Sequence, residues 1–151
     1  MKTEIKIEPC GNAFCVIHAP EANQKINNLA EKISMLDDSG ESVYFNGWDG
    51  DFCIKILPKD IFRVYSLDKK VFVETEKENL LLKLRLYEFE ELCSKYGWSD
   101  FIRISNTDIV SFSHVQNLDL SLTGVIKINL KNQTQTMVSR RYMSKIKESL
   151  K

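Results

Sequence analysis

Ser139-Arg140-Arg141 places two guanidinium groups at the expected start of a C-terminal helix. That end of a helix already carries partial positive charge, so each exposed cation there costs roughly 0.3–1 kcal/mol. A chain that keeps two of them has a use for an anion, and phosphate suits a helix start. Other chemistries find less support. There is no Ser/His/Asp or Cys/His spacing, no phosphate-cradling glycine loop and no cluster of acidic metal ligands, so an enzyme is not expected. The four cysteines (Cys10, Cys15, Cys53, Cys93) form no CxxC pair and the two histidines, His18 and His114, lie far apart. Reduced, packed thiols and neither metal nor other cofactor are the expectation, with the cytosol as compartment.

The 151 residues carry zero formal net charge, but the charge is not evenly spread. Residues 1–53 hold 4 basic and 9 acidic side chains, residues 54–98 hold 9 and 8, and residues 99–151 hold 8 and 4. An acidic first third and a basic last third suit an anion-binding half, because phosphate needs local positive potential and not a basic whole. No apolar run approaches the roughly 20 residues of a membrane span. The N-terminal MKTEIKIEPC has no apolar core, so no secretory signal is expected.

The elements that must position these side chains follow from periodicity. Thr3–Glu8 alternates as a strand, Ala13–His18 is a second apolar run, and Val43–Phe45 a third. Between them Pro20 sits where a helix would start, with Ile26, Leu29, Ala30, Ile33 and Leu36 at helical spacing and Asp37-Asp38-Ser39-Gly40 as the stop. The turn-rich Asn46-Gly47-Trp48-Asp49-Gly50 marks the boundary between a small acidic α+β unit, residues 1–50, and the rest, residues 51–151. Beyond it the texture is mostly β with short helices. Strands are expected at Phe52–Ile56, Ile61–Tyr65, Val71–Thr75, Leu80–Leu84, Phe101–Ile104, Ile109–Phe112, Leu118–Leu122, Val125–Leu130 and Thr134–Val138. Ser66–Lys70 reads as a hairpin with a basic tip, and Tyr87–Tyr96 as a short helix stopped by Gly97, with Glu88, Glu90 and Glu91 on its solvated face.

In the final helix Arg140, Ser144, Lys147 and Lys151 fall within about 40° of one another at 100° per residue. Tyr142, Met143, Ile146 and Leu150 occupy a separate apolar arc, and Ser139 is suited to cap the helix through its hydroxyl.

Read in order, Asp60-Ile61, Tyr65-Ser66, LRLYEFEEL, FIRIS.TDIVSF and VSRRYMSKIK resemble the LytTR DNA-binding domain over roughly Phe52 to Leu150. The acidic leader resembles that of small stand-alone LytTR regulators of Gram-positive bacteria, which lack a receiver domain. The resemblance implies an elongated multi-sheet β domain whose loops enter successive major grooves of promoter DNA. It implies base contacts from three places: the early hairpin tip (Lys69, Lys70), the loop after the FxRI strand (Ser105, Asn106) and the start of the last helix (Arg140, Arg141, with Lys145 a turn further on). Arg can bond guanine O6 and N7 together, and Asn the N6 and N7 of adenine, while lysines pair with phosphate.

Arg103, in the FxRI strand, is either a phosphate contact or the partner of Asp108 or Asp100. His114 is either near phosphate or a satisfied strand-edge histidine, and Trp48 closes the junction of the two units or stacks on a base. The resemblance further implies a homodimer on DNA and a regulatory membrane protein as partner for the acidic leader, whose alternative role is a folding cap. No small-molecule substrate is implied.

Four departures from the family pattern stand out. Asn106-Thr107 replaces Lys-Ser, Ser111 replaces Asn, Asn132-Gln133-Thr134 replaces Asn-Gly-Glu, and Asp108 adds an anion. Taken as DNA-edge positions, they weaken the phosphate term. Asp108, Ser111 and Asn132-Gln133, with the acidic N-terminal half, also motivate an alternative: a protein-interaction module of LytTR-like fold with weak or no DNA binding, acting through a membrane partner.

Overall fold

The computed structural model describes residues 16–21, 23–34 and 43–151. The expected strand at Thr3–Glu8, the start of that at Ala13–His18 and the helix stop at Asp37–Gly40 lie outside them, and Val16–His18 carries no strand. Two compact units emerge, Met1–Glu41 and Ser42–Lys151. Within the first, helix α1 spans Gln24–Ser34. It begins at Asn23 and not at Pro20, because the Asn23 side chain accepts the Ile26 amide at 3.0 Å and so satisfies one orphan donor of the first turn.

The second unit holds ten strands: β1 Phe45–Asp49, β2 Phe52–Ile56, β3 Arg63–Leu67, β4 Lys70–Glu74, β5 Asn79–Leu82, β6 Phe101–Ser105, β7 Asp108–Ser111, β8 Val115–Asp119, β9 Ile126–Leu130 and β10 Gln135–Val138. Helices α2 (Leu86–Lys95) and α3 (Met143–Ser149) complete it. Seven strands pair in the order β2-β1-β5-β4-β3-β7-β6, and a second sheet runs β10-β9-β8. The mostly-β, multi-sheet expectation holds.

β1 takes up most of the turn expected at Asn46–Gly50. Asn46-Gly47 is not a turn: Gly47 lies in the strand opposite Leu82 and Ile54. A Cβ on Gly47 would stand 2.6 Å from Ile56 Cδ1 and 2.8 Å from Leu80 Cβ, so the glycine is there for close packing. The reversal comes later, at Gly50 with φ 57°. β8 also moves, to Val115–Asp119. The Asp119 side chain takes the Ser121 amide at 2.9 Å and ends the strand, leaving Leu120 and Leu122 exposed despite their alternation. β3 starts at Arg63, because a 3-10 turn at Pro58–Asp60 carries the chain into buried Ile61 and Phe62.

Two cores flank the large sheet. On one face α2 lays Leu86, Phe89 and Cys93 over Val64, Val73, Leu80 and Ile109. Burial, with Glu90 nearby, pushes the Cys93 thiol up to about 12, so it is an inert packing group. On the other face Ile104 and Val110 meet Ile126, Ile128 and Leu130 of the small sheet and Ile146 of α3. β7 is buried along its whole length because both cores use it.

Between the sheets lies a polar seam. Arg63 Nε donates to Asp108 at 2.8 Å, and Arg63 also faces Glu74 at 3.6 Å. From the small sheet Thr136 donates to Asp108 at 2.7 Å, and Asn132 and Thr134 both donate to Glu74. Asp108 is therefore no free anion at a surface, as the sequence suggested, but a buried carboxylate in a shared network. Burial raises its pKa, and Arg63 and the Thr136 hydroxyl pull it down without cancelling that effect.

Two outcomes follow. Gly47→Ala is expected to cost about 1–3 kcal/mol in urea unfolding, because overpacking has no slack beside Leu80 Cβ. A group with a raised folded-state pKa binds its proton more tightly folded than unfolded, so its contribution is largest at low pH and is lost as pH rises. The stability of the native chain relative to Asp108→Asn is thus expected to grow as pH falls toward 3.8, the ordinary Asp value. Urea titrations of both proteins at stepped pH check this, and a difference independent of pH would contradict it.

Candidate nucleic-acid interface

Strand register decides which polar side chains share an end of the large sheet. β3 is antiparallel to β4, with Leu67 opposite Lys70, so the hairpin tip is Asp68-Lys69. β3 is also antiparallel to β7, with Tyr65 opposite Asp108, which puts the turn between β6 and β7 at the same end. The Ser66 amide donates to the Thr107 carbonyl at 2.8 Å across that gap. β4 pairs β5 with Val71 opposite Leu82, so Lys83 and Arg85 follow at this end too. β10 then delivers Ser139-Arg140-Arg141 here: the Ser139 amide donates to the Ile104 carbonyl at 2.9 Å. Hairpin tip, Asn106 turn and diarginine, far apart in the chain, thus form one polar edge.

The hairpin turn is two residues long, with φ of 50° at Asp68 and 64° at Lys69. Two positive φ values mark a type I′ turn, whose second position glycine fills without strain. Lysine there costs roughly 1–2 kcal/mol. Val71 pairs with Leu82 at the end of the ladder, so Lys70, just before Val71, and Lys83, just after Leu82, stand at neighbouring strand ends, both exposed. Lys83 is held in place by Trp48, with Nζ 3.6 Å from the ring centroid. Trp48 is thus a strand residue of β1 that supports a cation.

Arg103 takes neither of its expected acidic partners. Its Nη1 pairs with Glu90 of α2, its Nε donates to the Ser105 carbonyl at 3.0 Å and its Nη2 to the Asn106 carbonyl at 2.6 Å. All three nitrogens are engaged, two of them in holding the turn. Asp100 is instead occupied by Ser111 and Ser113 at 2.5–2.9 Å. Glu90 is consequently an ion-pair partner and Glu88 a cap, accepting the Arg85 amide at 2.6 Å, so neither is only part of a solvated face. Ser105 Oγ accepts the Thr107 amide at 3.1 Å, turned into its own loop, while Asn106 points outward and meets the Tyr142 hydroxyl.

The start of the last helix also differs from expectation. Arg140–Tyr142 is a 3-10 turn, α3 begins only at Met143, and the Ser139 hydroxyl makes no capping bond. The Ser139 carbonyl accepts the Tyr142 amide instead, at 2.9 Å. The arginines therefore precede the α-helix and are not opposed by a helix dipole in their own first turn. Both are exposed, as is Lys145, which borders a cleft with Arg103, Glu90 and Trp98. Leu150 is exposed as well, off the apolar arc that Ile146 anchors.

Among the described residues Lys69, Lys70, Lys83, Arg85, Arg140 and Arg141 make no ion pair. Lys83 and Arg85 were missed in the sequence because they flank strand and helix ends with no turn signal. His114 is a packed residue, stacked on Phe62 at 3.9 Å with Nε2 2.6 Å from the Lys59 carbonyl.

Residues 52–151 match the LytTr DNA-binding domain family. The chain belongs to the LytTR family. It is similar to uncharacterized HTH-type transcriptional regulators of Staphylococcus aureus, among them those of strains NCTC 8325 and COL. Each is 34% identical over 138 residues, covering 91% of this chain and 89% of the relative, so the likeness extends ahead of the LytTR segment. A LytTr DNA-binding domain from Bacillus cereus shares the fold, with TM-score 0.66 and 24% identity over 73% of this chain and 98% of its own. The family is one of DNA-binding regulators and not of enzymes. Five strands separate α2 from α3, so no helix-turn-helix pair forms from them.

Two of the four departures from the LytTR pattern sit at the far end of the sheet, and a third, Asp108, lies next to the edge turn but is buried. Ser111 is buried at the far end of β7. Asn132 and Thr134 bond Glu74, also at a far strand end, and Asp108 belongs to the seam. Only Asn106-Thr107 lies on the edge itself.

Lys69→Gly is expected to separate the two demands on the hairpin tip. Urea unfolding should show a gain of about 1 kcal/mol from relief of the positive φ, while affinity for duplex DNA falls. A variant that is less stable would show that the turn is not strained by its lysine.

Proposed function

We propose that this LytTR protein regulates transcription by reading promoter DNA with that one edge of the large sheet. The observation that carries the reading is the register, which gathers cations without an ion pair among the described residues from three separate chain segments beside Asn106. Arg140 and Arg141 are the base-reading pair, presenting donor forks to guanine in a major groove. Asn106 reads a neighbouring base. Lys69, Lys70, Lys83, Arg85 and Lys145 take phosphates and so set register without reading sequence. Arg103 holds the Asn106 turn and leaves phosphate to the others. Two copies bind adjacent sites, since the edge of one small unit buries limited DNA surface. The interaction-module alternative draws less support from Asp108, Ser111 and Asn132, which are taken up in hydrogen bonds within the fold, and rests on the acidic N-terminal half.

The test is a fluorescence-anisotropy titration of the full chain against duplex from its own upstream region, at two salt concentrations, with a scrambled duplex beside it. Arg140→Ala with Arg141→Ala should abolish the preference for the native duplex. Lys83→Ala should weaken binding to both duplexes alike and lower the salt slope by about 1. Equal binding of native and scrambled duplex by the unaltered chain would refute sequence reading.

A further inference from the structure

Asn106 stands where the family pattern has Lys, so what it does belongs to this chain. Its backbone is fixed from three sides: Arg103 donates to the carbonyls of residues 105 and 106, Ser105 Oγ takes the Thr107 amide, and Ser66 donates to the Thr107 carbonyl. Its side chain is exposed and has one partner among the described residues, the Tyr142 hydroxyl, which donates to Oδ1 at 3.2 Å. Tyr142 is itself anchored, packed against the core around Ile146. A free asparagine amide turns readily about its last bond. One whose oxygen is tied to Tyr142 presents Nδ2 outward as donor and keeps the second lone pair of Oδ1 beside it.

That arrangement is one donor and one acceptor at fixed spacing. Adenine offers its complement in the major groove, N7 as acceptor and N6 as donor. Guanine offers two acceptors, N7 and O6, so an anchored Oδ1 would face O6 with no proton between them. We propose that Tyr142, without touching DNA, sets Asn106 as a reader of adenine and a discriminator against guanine. This rests on the DNA-reading edge argued above and adds to it a positioning residue, Tyr142, and the discrimination against guanine that it confers.

The experiment is in vitro selection from a pool of randomised duplexes with the full native chain, Asn106→Ala and Tyr142→Phe, each checked by circular dichroism. The native chain should enrich a motif containing an adenine column that Asn106→Ala erases, an effect of about tenfold for a bidentate contact. Tyr142→Phe keeps the ring and its packing and removes only the donor. It should relax adenine over guanine in that same column by about three- to tenfold, the worth of one hydrogen bond, and leave the remaining columns and the salt slope unchanged. A purely structural role for Tyr142 would weaken all columns together. An unchanged adenine column in Tyr142→Phe, or an Asn106 column that is not adenine, overturns the proposal while leaving DNA reading intact. No enriched motif with the native chain overturns both.

Discussion

Asp108 is a carboxylate buried between two sheets, and it stays there because Arg63 and Thr136 meet it from either side. Removing one member of such a buried charged group costs about 3–5 kcal/mol, since the remaining charge is left without a partner. The seam is placed where it governs geometry. Asp108 opens β7 directly after the Asn106-Thr107 turn, and Thr136 lies in β10, four residues before Arg140. The bond between them ties the two segments at a fixed offset, and the Ser139–Ile104 backbone bond repeats the tie one step nearer the edge. Apolar packing of Ile104, Val110 and Ile128 brings the sheets together but is non-directional; the polar seam selects one register.

The edge that this register creates is built against local preference. A lysine occupies a left-handed turn position at roughly 1–2 kcal/mol, two exposed lysines stand at neighbouring strand ends, and two arginines fill a single 3-10 turn. Together they form a cationic field on a chain of zero net charge. The opposite end is not free of strain, since Gln133, between Asn132 and Thr134, also holds a left-handed φ of 70°. There Glu74, Asn132 and Thr134 satisfy one another, and Asp100 is capped by two serines. What sets the first end apart is its charge: cations gather there with no ion pair among the described residues.

Much was legible from residue order alone. Period-two alternation located most of the ten strands to within a few residues, and Gly97 marked the end of α2. The basic tip, the Asn106 turn and the diarginine were visible as residues, and the family pattern named them as a set. Errors came where one local signal has two readings. Asn46-Gly47 looks like a turn, yet Gly47 serves a close approach to Leu80; Leu118, Leu120 and Leu122 alternate, yet Asp119 ends the strand.

What residue order determined, then, was the fold class, the sequence of elements and the chemistry on offer, because periodicity and turn chemistry act over a few neighbouring residues. Only the tertiary structure decided that Arg103 braces a turn instead of facing solvent, that Asp108 is a buried link, that Lys83 and Arg85 join the cationic edge, and that Tyr142 meets Asn106. Each of those outcomes depends on strand register and on burial between sheets. Both are set by contacts between residues tens of positions apart, and no local pattern encodes them.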